Sequence, residues 1–587
     1  MSRAKRFTFI YGVVIVGFFV IALIAVYAYF WELPKLNLEP YNLKATSIVS
    51  KIRPDTNIVN FDNELALYSL RGQTALGQIV LRSNKDIEQV EIKIEGLQNE
   101  SEDIEIDSDD IQIGLEGFIK TTYKSDPAAD SIGYYPDPVI FDPEPFKLKQ
   151  NKNQPLVIRI DTMRSIKSGI YKGTIDAYFD DILEKSIDIK LYIFDKRFPI
   201  KRELHTLVGV DKSSIRKYYT VEDEKSLLNN LVLDGLEHGF NIFGTDLERP
   251  LGINEVDKKD LDFEQSDQYI SEWRQSGLNS IFIPGDDSFH IQTYGGEKFF
   301  AYLKHISDHY ENKDWLEDSY IYPISDPETE DSYKRIKELY TKLKDQISNL
   351  SILLTEQVTP DKKDWPSLVD LIDIWIPHGE KYYEDYEAMQ KARNLEDAIG
   401  FYTPGRYAGF EGYSDIPTPS HSIDRAFNDL VFAGLEAYKN SDTYHLMWNS
   451  TWWSEADPWE DPQTWKAGKQ TDNTTLAGNG TGYLYYPASD VTTNMPEQKN
   501  SSQKFIPSLR LLAFEQGLNL YEVAKIAKLK KNIVPDFVKI STNTVNIEYQ
   551  IFLTRLYDNF KINNQKADLP DYKSKWRFNL QSILPKW

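Results

Sequence analysis

Between residues 42 and 197 apolar and polar positions alternate in short runs, and beyond about residue 200 this gives way to short apolar runs separated by stretches of helical spacing. The first texture is that of half-buried strands, whose successive side chains face opposite sides of a sheet. Gly77–Arg82, Ile87–Ile94, Leu156–Ile160, Gly173–Phe179 and Ser186–Ile193 carry it, and several such strands in close succession predict a β-sandwich. The second texture predicts strands at Leu204–Val210, Asn241–Gly244, Ser280–Pro284, Ser319–Ile324, Ser351–Thr355, Leu371–Pro377, Ala398–Tyr402 and His445–Trp448. Amphipathic stretches such as Ser332–Gln346 and Ile423–Tyr438 lie between them. Eight strand–helix units over roughly 250 residues match an α/β fold of the (β/α)8 TIM barrel type, in which the strands run parallel.

The N-terminus has a third pattern. No residue from Phe7 to Trp31 is charged, Arg3, Lys5 and Arg6 precede the run, and Tyr27, Tyr29, Phe30 and Trp31 end it. Such a segment is long enough to cross a hydrocarbon core of about 30 Å as a transmembrane helix. The basic residues leave the N-terminus in the cytoplasm and the body outside, on the single-pass topology of a cell-membrane protein. The alternative is a cleaved signal peptide processed after Val26-Tyr27-Ala28, although such peptides have apolar regions of only about 7–15 residues. The expected order is therefore a cytoplasmic tip and anchor (1–31), a proline-containing stalk (32–41), a sandwich (42–197), a barrel (198–534) and a mostly helical closing segment (535–587). A helix over Pro507–Lys531 follows a polar stretch at 466–504.

Composition narrows the function. Lys plus Arg (67) less Asp plus Glu (90) leaves −23, which opposes nucleic-acid binding because that rests on basic side chains neutralising phosphates. With no cysteine there is no disulfide, thiol nucleophile or thiolate metal site. No His/Asp/Glu spacing suits a metal and no glycine-rich loop with its lysine suits a phosphate, so neither metal nor cofactor is expected. In a barrel of this kind the chemistry sits just after each strand. There the chain has Asp246 and Glu248, Asp286 and Asp287, Asp326 and Glu328, Glu356, His378 and Glu380, Tyr402 and Arg406, then Asn449, Trp452, Trp453 and Glu455, with Trp375 inside strand six. Carboxylates flanked by aromatic rings suit a glycan, since rings stack on sugar C–H faces and carboxyl groups bind hydroxyls or protonate a leaving oxygen.

Several motifs then combine. They are Gly133-Tyr-Tyr-Pro-Asp-Pro-Val139, Asn153-Gln-Pro-Leu156, Ser168-Gly-Ile-Tyr-Lys-Gly-Thr174, Asp373-Ile-Trp-Ile-Pro377, Tyr402, Ile423-Asp-Arg425, Asp457-Pro-Trp459, Gly480-Thr-Gly-Tyr-Leu-Tyr-Tyr-Pro487, Pro507-Ser-Leu-Arg510 and the Gly517…Tyr521-Glu522 pair. In this order over about 130–525 the chain resembles the family 123 glycoside hydrolases. That resemblance implies hydrolysis of N-acetylhexosamine-containing glycans, with an Asp-Glu pair at the end of strand four. The Asp orients the substrate's 2-acetamido group as nucleophile and the Glu is the acid/base.

Here the corresponding residues are Ser325 and Asp326, followed by Pro327. The resemblance thus makes Asp326 the acid, one methylene shorter, while Ser325 can bond an acetamido N–H but cannot balance oxazolinium charge. If a protein carboxylate replaces the acetamido group, Glu356 and Asp286 are the candidates; carboxyl separations of about 5–5.5 Å mark a retaining and about 6.5–9.5 Å an inverting enzyme. Trp375, His378, Tyr402, Arg406, Asn449, Trp452 and Trp453 are the expected sugar contacts, with a core role equally open for Trp375 in the middle of its strand. Glu515-Gln516 and Asn519-Leu520 replace the family's Arg-Asp and acidic pair, which predicts weaker ionic tethering around Arg510. The alternatives to an enzyme are an inactive glycan-binding or envelope scaffold and a plain surface-layer component.

Overall fold

The alternating segments pair as expected. In the computed structural model, which describes residues 40–125, 129–220, 222, 224–250, 261–284, 297–322, 327, 329–403, 419–426, 428–453, 457–469, 475–488, 495, 498, 503–534, 545–563 and 565–570, twelve strands occupy 41–197. They are β1 (Tyr41–Thr46), β2 (Glu64–Arg71), β3 (Thr74–Ser83), β4 (Ile87–Lys93), β5 (Gly96–Asn99), β6 (Glu105–Asp107), β7 (Ile111–Thr121), β8 (Gly133–Phe141), β9 (Phe146–Leu148), β10 (Asn153–Asp161), β11 (Gly169–Phe179) and β12 (Ile182–Arg197). One sheet has the order β1-β3-β10-β7-β8 and the other β2-β12-β11-β4-β9, with β5 and β6 appended. Residues such as Ile79, Leu115, Ile158, Ile175 and Ile189 fill the space between the sheets. Tyr41 pairs with Ser83, so the first strand takes the last residue assigned to the stalk. No helix among the described residues is long and apolar enough to cross a membrane; the expected span, 7–31, lies outside them.

The eight strands read after residue 200 are β13 (His205–Gly209), β14 (Asn241–Phe243), β15 (Ile281–Ile283), β16 (Ser319–Ile321), β17 (Ser351–Leu354), β18 (Ile374–Trp375), β19 (Ala398–Thr403) and β20 (Tyr444–Met447). All pair in parallel in the order β14-β13-β20-β19-β18-β17-β16-β15, a barrel closed except between β14 and β15. Two side chains bridge that seam. Asn241 donates to the Asn279 side-chain oxygen (2.7 Å) and to the Thr206 carbonyl (3.0 Å), and the Asn279 N–H donates back to Asn241 (3.2 Å).

Around the barrel lie α1 (Lys212–Tyr218), α2 (Glu224–Glu237), α3 (Glu264–Gln275), α4 (Glu297–Asn312), α5 (Glu330–Gln346), α6 (Gly379–Glu384), α7 (Tyr386–Arg393) and α8 (Asn428–Asn440). Caps mark their starts: Asp211 accepts from Ser213 N–H at α1, and Thr329 and Ser332 form a capping box at α5. The helix expected from Ile423 begins only at Asn428. Ile423 and Asp424 are held instead by tertiary partners, Ile423 N–H donating to Asn479 O (2.9 Å) and Asp424 accepting from Ser125 N–H (2.8 Å).

The polar stretch after the barrel contributes two hairpins, Gln463–Lys469 (β21) with Thr475–Asn479 (β22) and Tyr485–Pro487 (β23) with Phe505–Pro507 (β24). Then comes α9 (Leu509–Ala527), whose residues Leu509–Ala524 are all buried. A helix with no solvent face must find partners for the charges it buries, and this one finds them across the sandwich–barrel boundary. Arg510 makes a bidentate pair with Asp137 of β8 (Nε–Oδ1 2.8 Å, Nη2–Oδ2 2.9 Å) and also donates to the carbonyls of His421 and Gly480. Glu515 takes Arg159 of β10 at 2.8 Å and His238 at 2.7 Å. Glu522 accepts the N–H groups of Glu203 and Leu204, where the barrel begins.

The expected loss of tethering around Arg510 is therefore corrected. Asp137 satisfies the guanidinium, and Glu515 adds a second ionic contact to the sandwich. Residues 545–570 supply a helix, α10 (Val545–Tyr557), and a small hairpin of Lys561–Ile562 (β25) with Gln565–Lys566 (β26). Tyr557 stacks on Tyr68 and Phe194 of the sandwich with ring centroids 5.5 and 5.0 Å apart. The closing segment is thus part helix and part hairpin where it is described.

Two expected outcomes follow from α9. A Cβ on Gly517 would lie 2.5 Å from the Leu430 carbonyl oxygen and 2.8 Å from that of Val431, both rigid α8 backbone, so Gly517→Ala lowers stability by about 1–3 kcal/mol in urea unfolding. Burial alone would raise the Glu515 carboxyl, but Arg159 and His238 hold it at about 2. A depressed carboxylate stabilises above its unfolded pKa, near 4.3, and loses that stabilisation as pH falls toward its folded value. Glu515→Gln thus costs about 3 kcal/mol at pH 7, and the gap to wild type narrows as unfolding is measured from about pH 4.5 down to about pH 2.

Candidate functional site

Side-chain alternation along the barrel strands decides which residues can form a site. Leu207, Tyr320, Leu353, Ile374, Ile376 and Leu446 pack together in the lumen, with Phe243, Phe282, Tyr322, Ala398, Tyr402 and Tyr444 against them. The barrel is therefore filled, and its usable surface is the layer one step further toward the C-terminal ends. With a period of two, that layer is Gly209, Tyr322, Thr355, His378, Tyr402 and Trp448.

Their contacts form an aromatic floor in which Tyr322, His378, Tyr402 and Trp448 are half-buried and Thr355 is fully buried beneath them. Tyr322 and Thr355 hydroxyls are 2.9 Å apart, the His378 and Tyr402 rings meet edge-on at 4.5 Å, and Trp448 lies 5.0 Å from Trp452. The Trp448 indole N–H donates to Thr481 O (3.1 Å) and Trp452 N–H to Gly482 O (2.9 Å), so the 480–484 turn holds both residues. Gly209 has no room for a side chain, because a Cβ there would come 2.0 Å from the Trp448 carbonyl oxygen.

The expected contacts fall into three groups. His378, Tyr402 and Trp452 lie at this mouth, each half-buried. Asn449 is buried beside it, its side-chain oxygen accepting from Thr451 N–H (2.9 Å). Trp375 and Trp453 must be corrected from ligand platforms to core residues. Both are 0% exposed; Trp375 lies on the strand face opposite Ile374 and Ile376, donating to Asp397 at 3.2 Å, and Trp453 donates to the Tyr485 carbonyl at 2.8 Å. Ser325, Asp326, Asp286 and Arg406 lie outside the described residues, as do Asp287, Glu328 and Glu455.

Glu356 also needs correction as a candidate nucleophile. Thr355 takes the lumen side, so Glu356, the next residue, turns outward; it is buried, accepts from Gln357 N–H (3.1 Å) and acts on the Tyr333 hydroxyl of α5, whose proton affinity burial and this carboxylate raise. After β14, Glu248 is spent on its own turn, accepting from Thr245 and from Gly244 N–H, and burial pushes its pKa up. Asp246 pairs with Lys212 and Arg249. Among the described residues no group of three His, Asp or Glu side chains could hold a metal ion. Sequence reasoning misses Tyr322, Thr355 and Trp448 because each sits at a predicted strand's end or just inside it; counting by two from the lumen residues finds them.

Residues 51–177 match the family model of the glycoside hydrolase 123 N-terminal domain. No curated protein matches the chain in sequence. Among solved structures it is similar to a family 123 glycoside hydrolase from Clostridium perfringens, whose structural analysis concerns glycolipid glycan hydrolysis: 16% identity, TM-score 0.59, covering 87% of this chain and 91% of that one. A family 39 glycoside hydrolase from Bacteroides cellulosilyticus WH2 is more distant (9% identity, TM-score 0.32, 81% of this chain and 83% of that one). The chain is thus family 123-like in its sandwich and in its fold, as the motifs imply.

The two adjacent tryptophans should separate in mutagenesis. Trp453→Ala removes a fully buried ring and costs about 3–5 kcal/mol in urea unfolding. Trp452→Ala, at a half-buried position, leaves the fold within about 1.5 kcal/mol of wild type in the same measurement.

Proposed function

We propose that the chain is a glycoside hydrolase that works at the C-terminal mouth of its barrel on N-acetylhexosamine-containing glycans, held at the cell membrane by residues 7–31 with its body outside. The observation that carries this reading is the half-buried floor of Tyr322, His378, Tyr402 and Trp448 above a filled lumen. It offers ring faces for a sugar and the tyrosine hydroxyls of Tyr322 and Tyr402 for its polar edge. Asp326 follows β16 in sequence by five residues and is the acid in this scheme. Its proton passes to the glycosidic oxygen as the C1–O bond breaks, and the acetamido carbonyl oxygen bonds to C1. Water then opens the resulting ring and returns a proton to Asp326.

Ser325 bonds the acetamido N–H without supplying charge. With Glu356 turned outward, the substrate's own acetamido group is the favoured nucleophile, and Asp286 the remaining protein alternative. The serine also supports a second reading, a glycan-binding scaffold that has lost turnover, since fold alone does not establish activity.

Hydrolysis of aryl N-acetyl-β-galactosaminide and N-acetyl-β-glucosaminide by residues 32–587 tests the choice. Turnover that falls at least about 100-fold in Asp326→Asn is the expected result. Turnover unaffected by that substitution removes Asp326 from the chemistry, and binding without turnover in both proteins replaces the enzyme with the scaffold.

A further inference from the structure

The sandwich contains a cleft that the barrel chemistry does not use. About 760 Å3 in volume, it opens where β7, β8 and β10 on one side face β9 and the 53–56 loop on the other. Its lining combines two kinds of side chain. Phe118 and Tyr134 supply rings, and Arg53, Lys147, Lys149 and Lys152 supply cations, against the single carboxylate of Asp55. In a chain of net charge −23 this is a local reversal of sign.

The two classes are organised differently. Tyr134 is 51% exposed although the next residue, Tyr135, is fully buried, so its ring adds little to the core. It stands cross-strand from Lys120, whose ammonium lies 6.0 Å from the ring centroid. Arg53 is fixed as wall, its guanidinium donating to Tyr134 O (3.2 Å), Ser131 Oγ (2.8 Å) and Ile132 O (3.2 Å). Lys152 meets Asp55 at 2.8 Å and Lys147 meets Glu88 at 3.0 Å, both pairs largely exposed. Water screens such pairs, so they hold weakly and yield readily to a stronger anion. Among the described residues Lys149 makes no ion pair.

We propose that this cleft binds an anionic glycan, one sugar ring stacking on Tyr134 and a carboxylate or sulfate meeting Lys149 and Lys152. A flat exposed ring beside lysines matches the apolar face and charged edge of an acidic sugar. An acidic peptide would use the charges but has no reason to need the ring. The site lies on the sandwich and requires no turnover, so it stands whether or not the barrel is an enzyme.

The test is affinity electrophoresis of the full chain in non-ionic detergent at low salt, through gels containing polygalacturonate, heparin, dextran or poly-glutamate. The expected result is retardation by polygalacturonate or heparin alone. It weakens about 10-fold in both Tyr134→Ala and Lys149→Glu, whose exposed positions leave the melting temperature unchanged, and it is the same in Asp326→Asn. Which of the two polymers binds tells carboxylate from sulfate. No retardation by either, retardation that the two cleft variants leave intact, or equal retardation by poly-glutamate overturns the proposal. With Asp326→Asn run alongside, failure of the cleft and failure of the catalytic reading give different patterns.

Discussion

Asp137 and Arg510 meet in the seam between sandwich and barrel, and the positions of several distant pieces of chain follow from that contact. Both side chains are 0% exposed, and taking two charges out of water costs several kcal/mol per ion unless the geometry returns it. Here it is returned by a bidentate contact, by the carbonyls of His421 and Gly480, by the Tyr483 ring under the guanidinium and by the Tyr486 hydroxyl on Asp137. Those partners come from the β8 strand of the sandwich, the segment before α8, and the 480–487 turn. One ion pair therefore fixes three elements that the sequence keeps far apart.

That turn also holds the mouth of the barrel. Thr481 and Gly482 anchor Trp448 and Trp452, while Gly480 answers Arg510. The floor on which a sugar could rest is thus connected through three residues to the sandwich joint. Lys51 extends the same boundary: its ammonium donates to the carbonyls of Ile423 and Arg425, and burial lowers its pKa to about 8 even with Asp424 and Asp137 close by. The sandwich is in this sense part of the support of the barrel's working face.

The eight barrel strands are legible in the sequence because buried parallel strands leave short, nearly continuous apolar runs. Parity within those runs is not. Ile374, Trp375 and Ile376 read alike in sequence, yet the two isoleucines face the lumen and the tryptophan faces the helices. The same parity turns Thr355 inward and Glu356 outward. Trp453 misleads for a different reason: its polar neighbourhood in sequence gives no sign that Tyr485 accepts its indole N–H. Glu515 reads as a departure from a motif, and its meaning emerges only when β10 brings Arg159 to it. His378, Tyr402 and Trp452 can be placed at the mouth from sequence because position after a strand end is a topological property that the order of elements already carries.

The Asp137–Arg510 joint predicts that sandwich and barrel unfold as one unit, and calorimetry is the direct test. The full chain in non-ionic detergent should show a single transition whose calorimetric and van't Hoff enthalpies agree. In Asp137→Asn, which leaves Arg510 buried without its counter-charge, that transition moves to lower temperature and divides in two. Two independent transitions in the wild type, or an Asp137→Asn profile that matches it, would mean that the two domains fold without the joint.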